Sequence, residues 1–210
     1  MSRIAPVILA ILLVTTIAKA DPERLKDAEL VLTEMAGMDD KGIPTSLIAK
    51  ARCVVIIPSL KKAAFVVGGQ YGRGYMSCRK EGSWSAPAGI RVEGGSVGFQ
   101  IGGSATDVIL LVMNERGVDK ILSNEFKVGA DAAVAAGPLG REASAQTDIT
   151  MRAEMLAWSR ARGVFAGVAL QGSTLREDSG ENKELYGRAV TNREIVTGNV
   201  VPPKVAEDFL

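Results

Sequence analysis

Apolar residues recur along this chain in two different rhythms. Between Pro22 and Met38 they fall at Leu25, Ala28, Val31, Leu32, Met35 and Met38. Steps of three and four residues put them on one side of a helix. Asp21 ahead of Pro22 gives that helix a cap-then-proline start. Pro44 to Ala51 predicts a second, shorter helix with Leu47, Ile48 and Ala51 as its apolar side. From Arg52 the rhythm shortens. Val54 to Ile57 is an apolar run closed by Pro58, and Ala63 to Gln70 reads as the next strand. Gly74 to Arg79 alternates as its partner across Tyr71-Gly72-Arg73. Trp84 to Ala88 is irregular. Ile90 to Val92 and Val97 to Ile101 read as strands around a kink at Gly94-Gly95, and Asp107 to Met113 as a buried central strand.

The second half carries weaker signals. Val118 to Leu122 predicts a helical turn, Lys127 to Ala136 is small and alternating, and Gly137-Pro138-Leu139-Gly140 is a turn signal. Ile149 to Trp158 repeats every second residue. Its Met, Ala, Glu and Leu would suit a helix, but the period favours a strand. Gly163 to Leu175 reads as one final strand, Leu175 to Gly187 as a polar loop around a short helix. Thr191 to Thr197 and Pro203 to Phe209 read as short terminal helices. The expected architecture is one α+β domain over residues 21–210. It is a strongly bent, glycine-rich antiparallel sheet or partial barrel with short helices at both ends.

Composition narrows the chemistry. The chain has 210 residues, a net charge of +1, 23 glycines and no histidine. Without histidine there is no Ser-His-Asp or Cys-His catalysis and no His-ligated zinc. A near-neutral chain is a poor general nucleic-acid binder. Residues 1–20 have a charged start at Arg3, an uncharged run from Ile4 to Ala18, and Ala18-Lys19-Ala20 as a small-x-small cleavage site. Fifteen residues are short for a bilayer span, which takes about 20. The expectation is a signal peptide cleaved after Ala20 and a periplasmic or secreted mature protein. Cys53 and Cys78 are then either a disulfide or two buried thiols.

Charge is uneven. From Cys53 to Ser104 the bases are Lys61, Lys62, Arg73, Arg79, Lys80 and Arg91, and the acids only Glu81 and Glu93. These six cations are the candidate site for phosphate head groups of a lipid; ordinary solvated charge is the competing explanation. Gly68-Gly69-Gln70-Tyr71-Gly72-Arg73-Gly74 lacks the Gly-Lys-Ser/Thr ending of a phosphate loop and reads as hairpin geometry. Asp107, Asp119, Asp131 and Asp148 are widely spaced, and Ser104, Ser144, Ser159 and Ser173 lack a nucleophile-elbow context. Neither set makes a catalytic constellation, so no enzyme activity, cofactor or metal is expected.

Several separated motifs occur in order. Ile43-Pro44 precedes Ala49-Lys50-Ala51 and VVIIPSLKKAAFVVGGQYGRG. Then come Trp84-Ser85-Ala86-Pro87, GFQIGG at 98–103, DVILLVM at 107–113, AAGPLGR at 135–141, WSRARGVFAGVALQGS at 158–173, and Asn182 to Tyr186. From Leu25 to Gly198 the chain resembles the SYLF domain family, also called the Ysc84 actin-binding-domain family. The resemblance implies lipid binding without catalysis. Eukaryotic members bind phosphoinositides and membranes, and some bind or bundle actin. Bacterial members are exported. In eukaryotic members lipid binding leans on a basic helix at the start of the domain, but here Glu23, Asp27, Glu29 and Glu34 outnumber Arg24 and Lys26. The implied lipid contact therefore moves to the cationic positions of the β core. An exported chain would not meet actin. The expected partners are an anionic lipid or membrane surface, or an envelope protein. The alternative function is an envelope structural or protein-interaction module without a lipid ligand.

Overall fold

The computed structural model describes residues 22–36, 42–64, 67–97, 102–123, 126–128, 131, 134–139, 153–161, 164–167, 170 and 172–209. Helices α1 (Pro22–Ala36) and α2 (Thr45–Lys50) lead into strands β1 (Cys53–Ala64), β2 (Val67–Lys80), β3 (Ser83–Trp84), β4 (Ala88–Val97) and β5 (Gly102–Val112). Helix α3 (Glu115–Ile121) follows, then β6 (Phe126–Lys127), β7 (Val134–Ala136), β8 (Met155–Ala161), β9 (Val164–Gly167) and β10 (Ser173–Glu177). Helices α4 (Ser179–Tyr186) and α5 (Asn192–Thr197) and a 3-10 helix (Lys204–Phe209) complete it. The main sheet runs β6-β10-β4-β2-β1-β5-β8-β7, antiparallel except for the parallel pair β7–β8.

Strand alternation divides the core in two. Cys53, Val55, Ile57, Met76, Ile90, Val108 and Leu110 point to one side, where they meet Phe126 of β6, Leu175 of β10 and Met155 of β8. Strands from both ends of the sheet share that cluster, so the sheet curls into a half-barrel around it. Val54, Ile56, Tyr75, Ile109, Leu111 and Trp158 point outward, under Leu25, Ala28 and Val31 of α1. Those three helical residues are almost wholly buried. Burying a side chain the size of leucine or valine contributes about 1.5–3 kcal/mol, so the outer face holds α1 by its apolar stripe. The strong bend, the glycine-rich sheet and the helices at both ends match the sequence expectation.

Several boundaries differ from it. The strand predicted to stop at Pro58 continues to Ala64. Ser59 is an extra residue there: Ile57 and Leu60 of β1 oppose Val108 and Thr106 of β5, three positions against two. Ser59 has φ 53°, and its N–H donates to Asp107 Oδ1 at 2.9 Å. A proline beside a bulge interrupts the ladder where it is already broken. The turn predicted at Tyr71-Gly72-Arg73 does not exist either, since β2 is continuous. Gly72 and Gly74 sit inside the strand because β1 approaches closely. A Cβ at Gly74 would lie 1.9 Å from the Ile56 carbonyl oxygen. Gly94-Gly95 likewise lies within one continuous strand. The predicted final strand is two, β9 and β10. The leader and the carboxylate Asp148 lie outside the described residues.

Candidate functional site

The six cations do not converge. Arg73, Tyr71 and Arg79 share the outward parity of Tyr75 along β2, and Arg91 opposes Arg73 on β4. Lys61 opposes Tyr71, so it too faces outward. The bulge at Ser59 produces this: were the strand to alternate regularly through Ser59, Lys61 would point to the inner side. Lys62 and Lys80 have the inner parity of Leu60 and Cys78.

Most of these cations already have partners. Arg79 stacks over the Trp84 ring at 4.5 Å and donates to the carbonyls of Ala51 and Ile48, closing the C-terminus of α2. Lys80 Nζ donates to the Gly198 carbonyl and to Asn199 Oδ1. Arg91 pairs with Glu93 at 3.2 Å. Lys61 is exposed and Lys62 half-exposed, and neither has a hydrogen-bond or ion-pair partner among the described residues. Tyr71, beside Lys61, is 49% exposed, one of few large apolar side chains so placed among the described residues. Sequence reasoning misses Tyr71, because nothing local marks a strand tyrosine as solvent-facing.

Arg73 belongs to a network invisible in the sequence. Its guanidinium pairs with Asp178 at 2.5 Å and Glu181 at 3.1 Å. Glu181, with a side chain only 1% exposed, also accepts from Arg24 of α1 at 2.8 Å and from the Tyr75 hydroxyl. One buried carboxylate thus ties α1 and β2 to α4. Asn182 extends the clamp: its Oδ1 accepts from Gly89 N at 2.7 Å, and its Nδ2 donates to Asn192 Oδ1 at 2.7 Å. Asn192 Nδ2 in turn donates to the Gly89 carbonyl at 3.0 Å. Gly89 carries no side chain because Glu181 and Asn182 occupy that space.

The network shifts its own titrations. The hydrogen bond to Asp178, helped by the Asp178 and Glu181 charges, holds Arg73 protonated beyond its ordinary range. Burial and the Glu181 contact push the Tyr75 hydroxyl far up. Burial alone would raise Asp178, but Arg73 and the Glu181 N–H overcome it and hold the carboxyl below its usual value. A depressed folded pKa stabilises the fold above the unfolded carboxylate value of about 4, and that stability is lost as pH falls through the lowered pKa. Asp178→Asn should therefore unfold more easily than the wild type at pH 7. In urea titrations followed by circular dichroism, the gap should narrow as pH drops towards about 3.

At the opposite end of β1 and β2, Cys53 and Cys78 are direct cross-strand partners and form a disulfide, with Cα atoms 3.9 Å apart. The bridge settles the two alternatives left open by the sequence. It borders a cleft of about 930 Å³, walled by Arg52, Arg79, Lys80, Trp84 and the segment Val196–Pro202. Two of the acids singled out by sequence have structural partners. Asp107 is ion-paired with Arg160 at 2.6 Å, and Asp131 accepts from the Lys127 N–H at 2.7 Å. No group of acids and cysteines among the described residues could hold a metal ion.

Comparison with known proteins fixes the lineage. The sequence profile of the family described as "Ysc84: Las17-binding protein actin regulator" matches residues 93–210. The human SH3 domain-containing YSC84-like protein 1 is 34% identical over 172 residues, which is 81% of this chain and 50% of that protein. The budding-yeast proteins YSC84 and LAS seventeen-binding protein 3 are 34% identical over 177 and 174 residues, 37% of each protein. The chain thus spans half or less of the curated relatives it matches. With its profile match, its identity to these proteins and its curled glycine-rich sheet, the chain belongs to the Ysc84, or SYLF-domain, family.

Proposed function

We propose that this protein is a non-enzymatic binder of anionic lipid surfaces, acting in the bacterial cell envelope after removal of residues 1–20. The observation that carries the reading is the end of the sheet formed by Lys61, Lys62 and Tyr71. Lys61 stands beside the exposed Tyr71 on the outer face and Lys62 on the inner face of the same sheet end, and neither lysine has a partner among the described residues. An amphipathic ring and snorkelling lysines suit the headgroup level of a membrane. The site lies about three residues, or 10 Å, from the strand ends. There β1 stops at Ala64, which pairs with Gly68 of β2 and Gly102 of β5. Arg73, Arg79, Lys80 and Arg91 become supporting charge, because their first partners are within the protein.

The disulfide suits an oxidising compartment and so supports export. The family description names Las17 binding and actin regulation, and one yeast relative is named for Las17 binding, but an exported chain would meet neither. The mature protein should co-sediment with phosphatidylglycerol vesicles at low salt and not with phosphatidylcholine vesicles. Equal behaviour towards the two would remove the lipid reading. The second reading, a protein-interaction module of the envelope, is favoured by Val201, which borders the cleft and is 81% exposed. A partner pulled from envelope extracts and lost on Val201→Asp would support it.

A further inference from the structure

The Cys53–Cys78 bridge sits where the inner core meets the large cleft. Cys53 is wholly buried, Cys78 is 6% exposed, and both border the cleft. The backbone of Cys78 is committed to Ser85. Its N–H donates to Ser85 Oγ at 3.0 Å, and its carbonyl accepts from the Ser85 N–H at 2.7 Å. Cys53 and Cys78 are therefore a non-hydrogen-bonded pair of the β1–β2 ladder, joined to each other through sulfur. The next pair is held independently, the Arg79 N–H donating to the Arg52 carbonyl at 2.7 Å. β1 also pairs along its other edge with β5, starting with Cys53 opposite Val112. Breaking the sulfur–sulfur bond thus leaves both strands in place, with two thiols side by side. Those thiols need more room than a bridge, because sulfurs in van der Waals contact stand roughly 1.5 Å farther apart than bonded ones. Their core neighbours Val55, Met76 and Ala88 are wholly buried and give none. The open side is the cleft. Its wall begins at Val196 of α5, which belongs to the same core cluster as the two cysteines. Lys80, on the face of Cys78, makes a second link to that wall through the Gly198 carbonyl and Asn199 Oδ1.

We infer that Cys53–Cys78 is a reversible redox switch, reduced through the cleft by a dithiol and setting the position of the Val196–Pro202 wall. A thiolate of the reductant attacks Cys78 Sγ, the less buried sulfur. The sulfur–sulfur bond breaks, and its electron pair leaves on Cys53 Sγ, which takes up a proton. The reductant's second thiolate then attacks the reductant's own sulfur in the mixed disulfide. That closes the reductant's disulfide and releases Cys78 as a thiolate, which is protonated in turn. The dithiol gives up two electrons and two protons, and the bridge gains both. The freed Cys78 thiol turns towards the cleft and pushes Val196 outward, and the wall follows. This device is separate from the lysine pair of the lipid reading and does not depend on it.

Dithiothreitol is the probe, applied to the mature protein in native buffer. Trapping with iodoacetamide and intact-mass measurement should find both cysteines alkylated while far-UV circular dichroism stays unchanged. Glutathione disulfide should then restore the bridge in protein that has not been trapped. Amide NMR spectra of the two forms read the wall. Reduction should shift the signals of Gly198, Asn199 and Val201, which are remote in sequence from both cysteines. The Gly137 amide, which donates to the Ala157 carbonyl at 2.9 Å beside β7 and β8, should keep its position. These shifts report native geometry, so a bridge that served stability alone would leave the wall signals where they were. The inference is overturned if the bridge is reduced only in urea that unfolds the protein, or if reduction itself abolishes the circular dichroism signal. It is equally overturned if the reduced, folded protein shows shifts only at residues next to Cys53 and Cys78 in sequence.

Discussion

Replacing Gly74 by alanine should destabilise the fold by about 3 kcal/mol or more. The added Cβ would stand 1.9 Å from the Ile56 carbonyl oxygen and 2.8 Å from the Ile57 Cα. Both neighbours are backbone atoms of β1, so no rotamer change can relieve the overlap. The two strands would have to part next to the Ser59 bulge, where Ile57 and Leu60 belong to the inner core. For a domain of this size each kcal/mol moves the melting temperature by roughly 2–4 °C. Calorimetry should therefore show a fall of about 6–12 °C or failure to fold. Gly82 provides the control. It has φ 82°, and a Cβ added there would meet nothing within 4 Å. Gly82→Ala should therefore cost only the backbone strain of a positive φ, about 1 kcal/mol.

Loss of the Cys53–Cys78 bridge should have an effect of similar size. The cysteines are 25 residues apart in sequence. Closing a loop of that length restricts the unfolded chain by an entropy equivalent to about 3.5 kcal/mol at 25 °C. Both cysteines are buried in the inner core, so Cys53→Ala/Cys78→Ala also removes packing. Urea unfolding of this double variant, compared with the wild type with and without reductant, should show the variant and the reduced protein losing stability together. An unchanged midpoint would mean that β1–β2 pairing already restricts the unfolded chain as much as the bridge does.

The half-barrel is legible in the sequence where patterns are local. Three- and four-residue steps locate α1, and the unbroken apolar run locates β5. The β1–β2 pair escapes such reading because proline and glycine look like breakers. In the fold Pro58 adjoins a bulge, and Gly72 and Gly74 admit a neighbouring strand. Neither role has a sequence signature without knowledge of what lies across the sheet. The site shows the same division. The cationic bias from Cys53 to Ser104 is visible in the sequence, but not which cations remain available. Arg73 is neutralised by Asp178, 105 residues away, and Tyr75 is bonded to Glu181, 106 residues away. Lys61 and Lys62 stand out only after those partners have been assigned, and Tyr71 only after the bulge has fixed the register.

In the proposed function Lys61 and Lys62 bring the sheet end to an anionic membrane surface. Near such a surface each lysine contributes about 1 kcal/mol. Partition of the mature wild type and of Lys61→Gln/Lys62→Gln onto phosphatidylglycerol vesicles, measured across a salt series, tests this directly. Wild-type binding should decline with salt and should be roughly thirty-fold weaker in the double variant at low salt. Equal partition of the two proteins, or no wild-type binding even at the lowest salt, would contradict it.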